Sequence, residues 1–180
     1  MASYQMSRVR LIESIQLHSG VVSLRKDRFT LDGRIVEKDI VEHQPSVGIV
    51  PITDDECVLL VAQYRRAAGK TLLEIPAGKI EKGETPAQAA AREMAEEIGY
   101  KGKLKPLMHW YLAPGYDNEF MRVFVATKLQ KIKRGKLDED EDIVVKKLSL
   151  ETSLQKCVRG EIQDCKTVAA LFAYRHMKGG

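Results

Sequence analysis

Short apolar runs bounded by turn residues dominate the chain. From Val9 to Val41 the pattern is mostly extended: Val9 to Leu17 and Val21 to Leu31 read as strands, and Arg34-Ile35-Val36 opens a third. Asp32-Gly33 separates the second from the third, and a tight type I′ hairpin favours that dipeptide because both turn residues need positive φ. A three-stranded meander follows, ending at the His43-Gln44-Pro45 junction. Six more strands are predicted at Val47 to Ile52, Cys57 to Gln63, Leu72 to Ile75, Leu107 to Leu112, Met121 to Lys128 and Ile143 to Leu148. Helices are predicted from about Pro86 to Ile98 and from about Lys166 to Tyr174, and a weaker pattern allows a third between Leu150 and Val158. Strands flanked by a few helices give an α+β sandwich, with residues 1–44 as a small antiparallel sheet subdomain and 45–180 as the main domain.

With 180 residues the chain is long enough to bury a sizeable core without staples, and 44% hydrophobic against 30% charged residues places it among ordinary globular proteins. A net charge of +4 is too small to imply nucleic-acid binding, so no nucleic-acid partner is expected, while anionic small substrates fit. The first ten residues, MASYQMSRVR, have no apolar h-region and no run approaches a membrane span, so the expectation is a cytoplasmic protein without a membrane partner. Cys57, Cys157 and Cys165 are odd in number and lack CxxC spacing, which argues against disulfides and zinc and for free buried thiols. The four histidines are scattered without a helical metal spacing and receive no catalytic role.

The chemistry concentrates on the first helix. Thr85 before Pro86, with Gln88 three residues on, is a capping-box start, and Gly99 is a stop. At 100° per residue Ala87, Ala91, Met94, Ala95 and Ile98 form an apolar stripe, with Glu93, Glu96 and Glu97 on the opposite side. Most charged helix faces are simply solvated. Here Glu93 and Glu97 repel at i, i+4, and the last glutamates sit at the helix end that prefers cations. A divalent cation such as Mg²⁺, which favours oxygen ligands, would turn that repulsion into a binding site.

The surrounding pattern is more specific. Gly78, Glu84, Arg92-Glu93-Met94, Glu96-Glu97 and Gly99-Tyr100 stand in the spacing G-x5-E-x7-R-E-U-x-E-E-x-G-U, where U is apolar. This run resembles the Nudix box, all nine defined positions being matched over 23 residues. The resemblance implies an α/β/α sandwich that hydrolyses a nucleoside diphosphate linked to another moiety with the help of divalent metal, Mg²⁺ or alternatively Mn²⁺. It also implies metal ligands at Glu93 and Glu97, with Glu96 auxiliary, and an Arg92–Glu84 pair that orients the glutamate helix.

Within the family the chain is similar to ADP-ribose pyrophosphatases. Leu73-Glu74-Ile75-Pro76-Ala77-Gly78 resembles their E-x-P-A-G run, which implies a metal contact from the Ala77 carbonyl. Gln63-Tyr64-Arg65 resembles their Q-Y-R motif, which makes Arg65, with neighbouring Arg66, a candidate for phosphate contact, since a guanidinium fork matches phosphate oxygens. Ala113-Pro114-Gly115 stands where S-P-G is usual, a departure at the first position only. The acidic stretch Leu137 to Ile143 matches a loop that delivers a further glutamate, implying Glu139 as general base and Glu141 as metal ligand, with Glu141 or Glu119 as alternative bases and Glu119 also a candidate substrate contact. The basic run Lys128 to Lys136 has no such support and reads as a solvated hairpin. Gly160, Ile162, Asp164 and Thr167 resemble the subfamily's structural G-x-I-x-D-x-x-T close. The meander resembles the sheet through which these enzymes form homodimers, and a lone three-stranded sheet gains from burial against a partner. The implied reaction is hydrolysis of ADP-ribose to AMP and ribose 5-phosphate. Another nucleoside diphosphate sugar such as GDP-mannose, a dinucleotide, or a non-catalytic nucleotide- or RNA-binding module stay open as alternatives.

Overall fold

The computed structural model describes residues 8–135 and 142–179. They divide into two compact units, Met1–Gln44 with Tyr111–Glu119, and Pro45–Trp110 with Phe120–Gly180.

In the first unit, strands β1 (Val9–His18), β2 (Ser23–Leu31) and β3 (Arg34–Glu42) form an antiparallel sheet in chain order. Asp32 and Gly33 take φ values of 49° and 81°, as the I′ hairpin requires. That turn sets a register in which Lys26 faces Asp39, Asp27 faces Lys38 and Arg28 faces Glu37, so opposite charges meet across the ladder. The apolar residues of β1, Val9, Leu11, Ile12, Ile15 and Leu17, stay exposed. Residues 111–119 dock on β3: Val41 N–H donates to the Tyr116 carbonyl at 2.7 Å, and His43 N–H to Asn118 Oδ1 at 2.9 Å.

The second unit contains β4 (Ser46–Pro51), β5 (Cys57–Arg65), β6 (Lys70–Glu74), β7 (Ala77–Lys79), α1 (Pro86–Glu93), β8 (Tyr100–Tyr111), β9 (Phe120–Lys131), β10 (Ile143–Ser149), α2 (Leu150–Val158) and α3 (Cys165–Gly179). One sheet runs β7-β4-β9-β8 and another β10-β5-β6. Every residue of β4 is buried, and β4 pairs in parallel with β9, which explains its unbroken apolar run. Val47 and Ile49 pack with Ala89, Ala90, Met94, Phe124 and Ala126, placing α1 on the sheet. Gly48, pointing the other way, lies against Ile75, Met121 and Val123, and α3 also meets β4. Helices on a mixed sheet give the predicted sandwich.

The differences from expectation lie in the details. The predicted strand Leu107 to Leu112 is the end of the much longer β8, whose alternating KGKLK start hides a strand behind surface lysines. The predicted single helix ends as α at Glu93 and continues as a π-turn over Met94–Ile98. The apolar stripe is nevertheless not the buried face, because the side that carries the glutamates turns inward. Ala89 and Ala90 are buried while Ala87 and Ala91 are exposed, and Glu93 and Glu97 join Met94 and Ile98 on the inner side. The cysteines are free, but Cys57 and Cys157 are half-buried and Cys165, at the start of α3, is exposed. Among the described residues no helix is long and apolar enough to cross a membrane.

Candidate active site

The glutamate helix begins where chemistry requires it. Gln88 N–H donates to Thr85 Oγ1 at 3.3 Å and Thr85 N–H donates to Gln88 Oε1 at 2.8 Å, satisfying two orphan donors reciprocally. Pro86 occupies the first turn, where no N–H is needed. At the far end Gly99 turns left-handed with φ 71° and sends the chain into β8.

Arg92 gathers the acidic groups. Its Nε and Nη2 fork onto Glu84 at 2.9 and 3.1 Å, Nη2 also donates to the Lys79 carbonyl at 2.9 Å, and Nη1 reaches Glu93 at 2.8 Å and Glu96 at 3.0 Å. The like-charge repulsion apparent along the helix is thus offset by one guanidinium. Arg92, together with the Glu81 N–H, holds the Glu84 carboxyl below its usual range, while Glu84 in turn raises Arg92. Because Glu84 precedes the helix and Lys79 lies on β7, this network ties the loop to the helix.

Glu97 points inward. It is 2% exposed and accepts the Ala77 N–H at 3.1 Å. Glu93, 9% exposed, lies so close to Gly78 that a Cβ there would be 1.9 Å from its Oε1. The 77–78 backbone is therefore a floor on which both carboxylates rest, and a side chain at 78 would displace the Glu93 carboxylate from it.

The segment entering that floor is anchored from behind. Glu74, 1% exposed, receives Arg65 Nε and Nη2 at 2.7 and 2.8 Å and the Lys166 ammonium. Burial alone would push the Glu74 carboxyl up, but the Arg65 fork and the Lys166 charge outweigh it and the carboxyl sits below its ordinary range. Ile75 N–H donates to the buried Thr167 Oγ1 at 2.7 Å, and Asp164 accepts the Thr167 N–H at 3.0 Å where α3 begins. The Glu74 bonds, more than any other cause, raise Arg65, and the Glu97 charge also reaches it.

The structure thus brings together Ala77, Glu84, Arg92, Glu93, Glu96 and Glu97, with Arg65 beside them. Arg66 is exposed in the turn after β5, its carbonyl accepting the Gly69 N–H at 3.1 Å. Glu119 belongs to the first unit, where its carboxylate stands 3.4 Å from His43 Nδ1. Glu139 and Glu141 lie outside the described residues. The E-x-P-A-G and D-x-x-T likenesses contained Glu74 and Thr167, but nothing in the spacing of Lys166 announced that it would pair with a carboxylate 92 positions away.

The donor set fits a hard divalent cation. Among the described residues no three acidic side chains converge into a closed cage. Gly78 leaves the room that the Glu93 carboxylate takes up, and the Glu97 carboxylate sits on the neighbouring Ala77 N–H, so two hard oxygen donors stand over one stretch of backbone.

The NUDIX domain model matches residues 42–167. The chain belongs to the Nudix family. This Nudix chain is 36% identical over 166 residues to the ADP-ribose pyrophosphatase of Bacillus subtilis (strain 168), covering 90% of each. It is 37% identical over 166 residues, again 90% of each, to the "methanol dehydrogenase activator" of Bacillus methanolicus. A solved structure described as an ADP compounds hydrolase superposes with a TM-score of 0.85 over 98% of both chains at 24% identity, which establishes the shared fold.

Proposed function

We propose that this Nudix chain hydrolyses ADP-ribose to AMP and ribose 5-phosphate with a divalent metal, Mg²⁺ or alternatively Mn²⁺. The observation that carries the reading is the pair of inward carboxylates, Glu93 and Glu97, seated on the Ala77-Gly78 backbone. The names of relatives matched over most of their length supply the substrate.

Glu93, Glu97, the auxiliary Glu96 and the Ala77 carbonyl would hold the metal. When bound, the metal neutralises and orients the pyrophosphate and lowers the pKa of a water. Arg92 and Glu84 keep the glutamate helix in register with the loop, so the carboxylates meet substrate already placed. Arg65 presents its remaining guanidinium edge to phosphate, with Arg66 next to it in the chain. Glu139 takes the proton of the attacking water, Glu141 adds an oxygen ligand, and Glu119 is the alternative base or a substrate contact. Water adds to phosphorus, the bridging P–O bond breaks, and the leaving phosphate oxygen carries the electron pair away.

The exposed apolar residues of β1 also support a homodimer through the first unit, residues 1–44 acting as the dimerisation subdomain.

Product analysis with Mg²⁺ against ADP-ribose, GDP-mannose, UDP-glucose, NADH and diadenosine polyphosphates tests the substrate. Preferential release of AMP and ribose 5-phosphate from ADP-ribose is expected. Preference for another member moves the specificity, and nucleotide binding without turnover of any contradicts the hydrolase reading.

A further inference from the structure

Arg134, in the basic run Lys128 to Lys136, is half-buried and hydrogen-bonded rather than simply solvated. The Arg134 Nε donates to the Glu96 carbonyl at 3.0 Å, and its Nη1 and Nη2 donate to the Ile143 carbonyl at 3.3 and 3.4 Å. The adjoining backbone does the same: Gly135 N–H donates to the Ala95 carbonyl at 3.1 Å and Ile132 N–H to the Gly99 carbonyl at 2.9 Å. Residues 132–135 therefore take the Glu96 carbonyl and share the Ala95 carbonyl, which also accepts the Gly99 N–H at 3.2 Å, at the end of the glutamate helix, where carbonyls run short of partners within the helix. A Cβ at Gly135 would stand 2.8 Å from Glu96 Cγ, so the chain packs directly on that residue.

The end being held is unusual. Met94–Ile98 is a π-turn, a wider and rarer winding than α, and Glu96 and Glu97 project from it. Two carboxylates at the negative end of a helix are unfavourable, and a cation on the terminal carbonyls is the complement that end prefers. Arg92 holds the Glu96 carboxylate from one side while Arg134 holds its carbonyl from the other. The planar fork of Arg134 spans two carbonyls on different elements, Glu96 on the π-turn and Ile143 on β10, and a lysine ammonium is a point charge without that reach.

We propose that Arg134 is a positioning residue for the metal-binding carboxylates: by bridging the Glu96 and Ile143 carbonyls it fixes the π-turn that aims Glu96 and Glu97. This rests on the metal reading of the site. Glu96 and Glu97 touch the metal in that reading, and Arg134 acts only through them.

The test compares full-length wild type, Arg134→Gln, Arg134→Lys, the exposed-lysine control Lys133→Gln and Glu97→Gln. Mn²⁺ affinity is read from the free-ion EPR signal, kcat and KM with ADP-ribose and Mg²⁺, and Tm in EDTA. Loss of a group that orients metal ligands typically costs about 10–100-fold in affinity or activity. Arg134→Gln should weaken Mn²⁺ binding and lower kcat within that range, Arg134→Lys should recover part of both, and Lys133→Gln should match wild type. Wild-type Mn²⁺ affinity and kcat in Arg134→Gln overturn the proposal, as does a fall in Tm alone. If Arg134→Gln does not fold, full wild-type affinity and kcat in Arg134→Lys overturn it. If wild type and Glu97→Gln bind Mn²⁺ equally, the metal reading itself fails. If Glu97→Gln loses the ion and Arg134→Gln does not, only the role of Arg134 fails.

Discussion

Gly78 and Glu93 approach until no side chain fits between them, the hypothetical Cβ lying 1.9 Å from Oε1 and 2.1 Å from Cδ. The glycine matters here for the room it leaves to that carboxylate rather than for a left-handed backbone. Gly78→Ala should push the Glu93 carboxylate off its floor. Misplacement of about 1 Å near reacting groups costs on the order of 100-fold in rate. Steady-state kinetics with a circular dichroism control checks this, and a folded Gly78→Ala within twofold of wild-type kcat would refute it.

Thr167 carries a structural load at a distance. It is fully buried, accepts the Ile75 N–H and donates to Asp164. Thr167→Val keeps the shape and leaves that amide without a partner, at a cost of about 1–3 kcal/mol. For a chain of this size each kcal/mol lowers Tm by about 2–4 °C. An unchanged melting temperature by calorimetry would contradict the anchor.

The helix and its box were legible because the cap, the glutamate spacing and the glycine stop are all local. The hairpin at Asp32-Gly33 was legible for the same reason, a dipeptide that suits one turn. The π-turn was not, because one extra residue in a helical turn leaves no mark on a pattern read at a fixed angular step, and the burial of Glu93 and Glu97 was hidden separately, since charged residues are ordinarily assigned to the outer face. The pairing of Lys166 with Glu74 and of Arg134 with Glu96 was equally hidden, because tertiary folding brings them together from elements far apart in the chain. A lysine in a motif's variable position and an arginine in a basic run both look like surface until the sheet is assembled.

Acid should loosen the Glu74 network. Its folded carboxyl titrates below the ordinary 4.5, so the unfolded chain takes up the proton first. The stabilisation is then present above about pH 4.5 and is lost as pH falls through the lower folded value. Urea unfolding from pH 7 to pH 3 should show Glu74→Gln less stable than wild type at neutrality, with a shallower decline below pH 4.5. Parallel declines would remove Glu74 from the acid response.

Leu11 and Ile15 offer exposed apolar surface on β1. If that strand is buried in a dimer, sedimentation should give twice the 20.3 kDa chain mass for wild type and a single chain for Leu11→Glu with Ile15→Glu. A monomeric wild type at micromolar concentration would contradict the dimer.

The most direct measurement is quantification of AMP and ribose 5-phosphate released from ADP-ribose by wild type and Glu97→Gln, each with Mg²⁺ and with EDTA. Wild type should release both products in equal amounts only with Mg²⁺, and folded Glu97→Gln should be nearly inactive, since Glu97 is the inward carboxylate on the Ala77 N–H. Turnover that survives EDTA, or near-wild-type turnover by Glu97→Gln, would contradict the account.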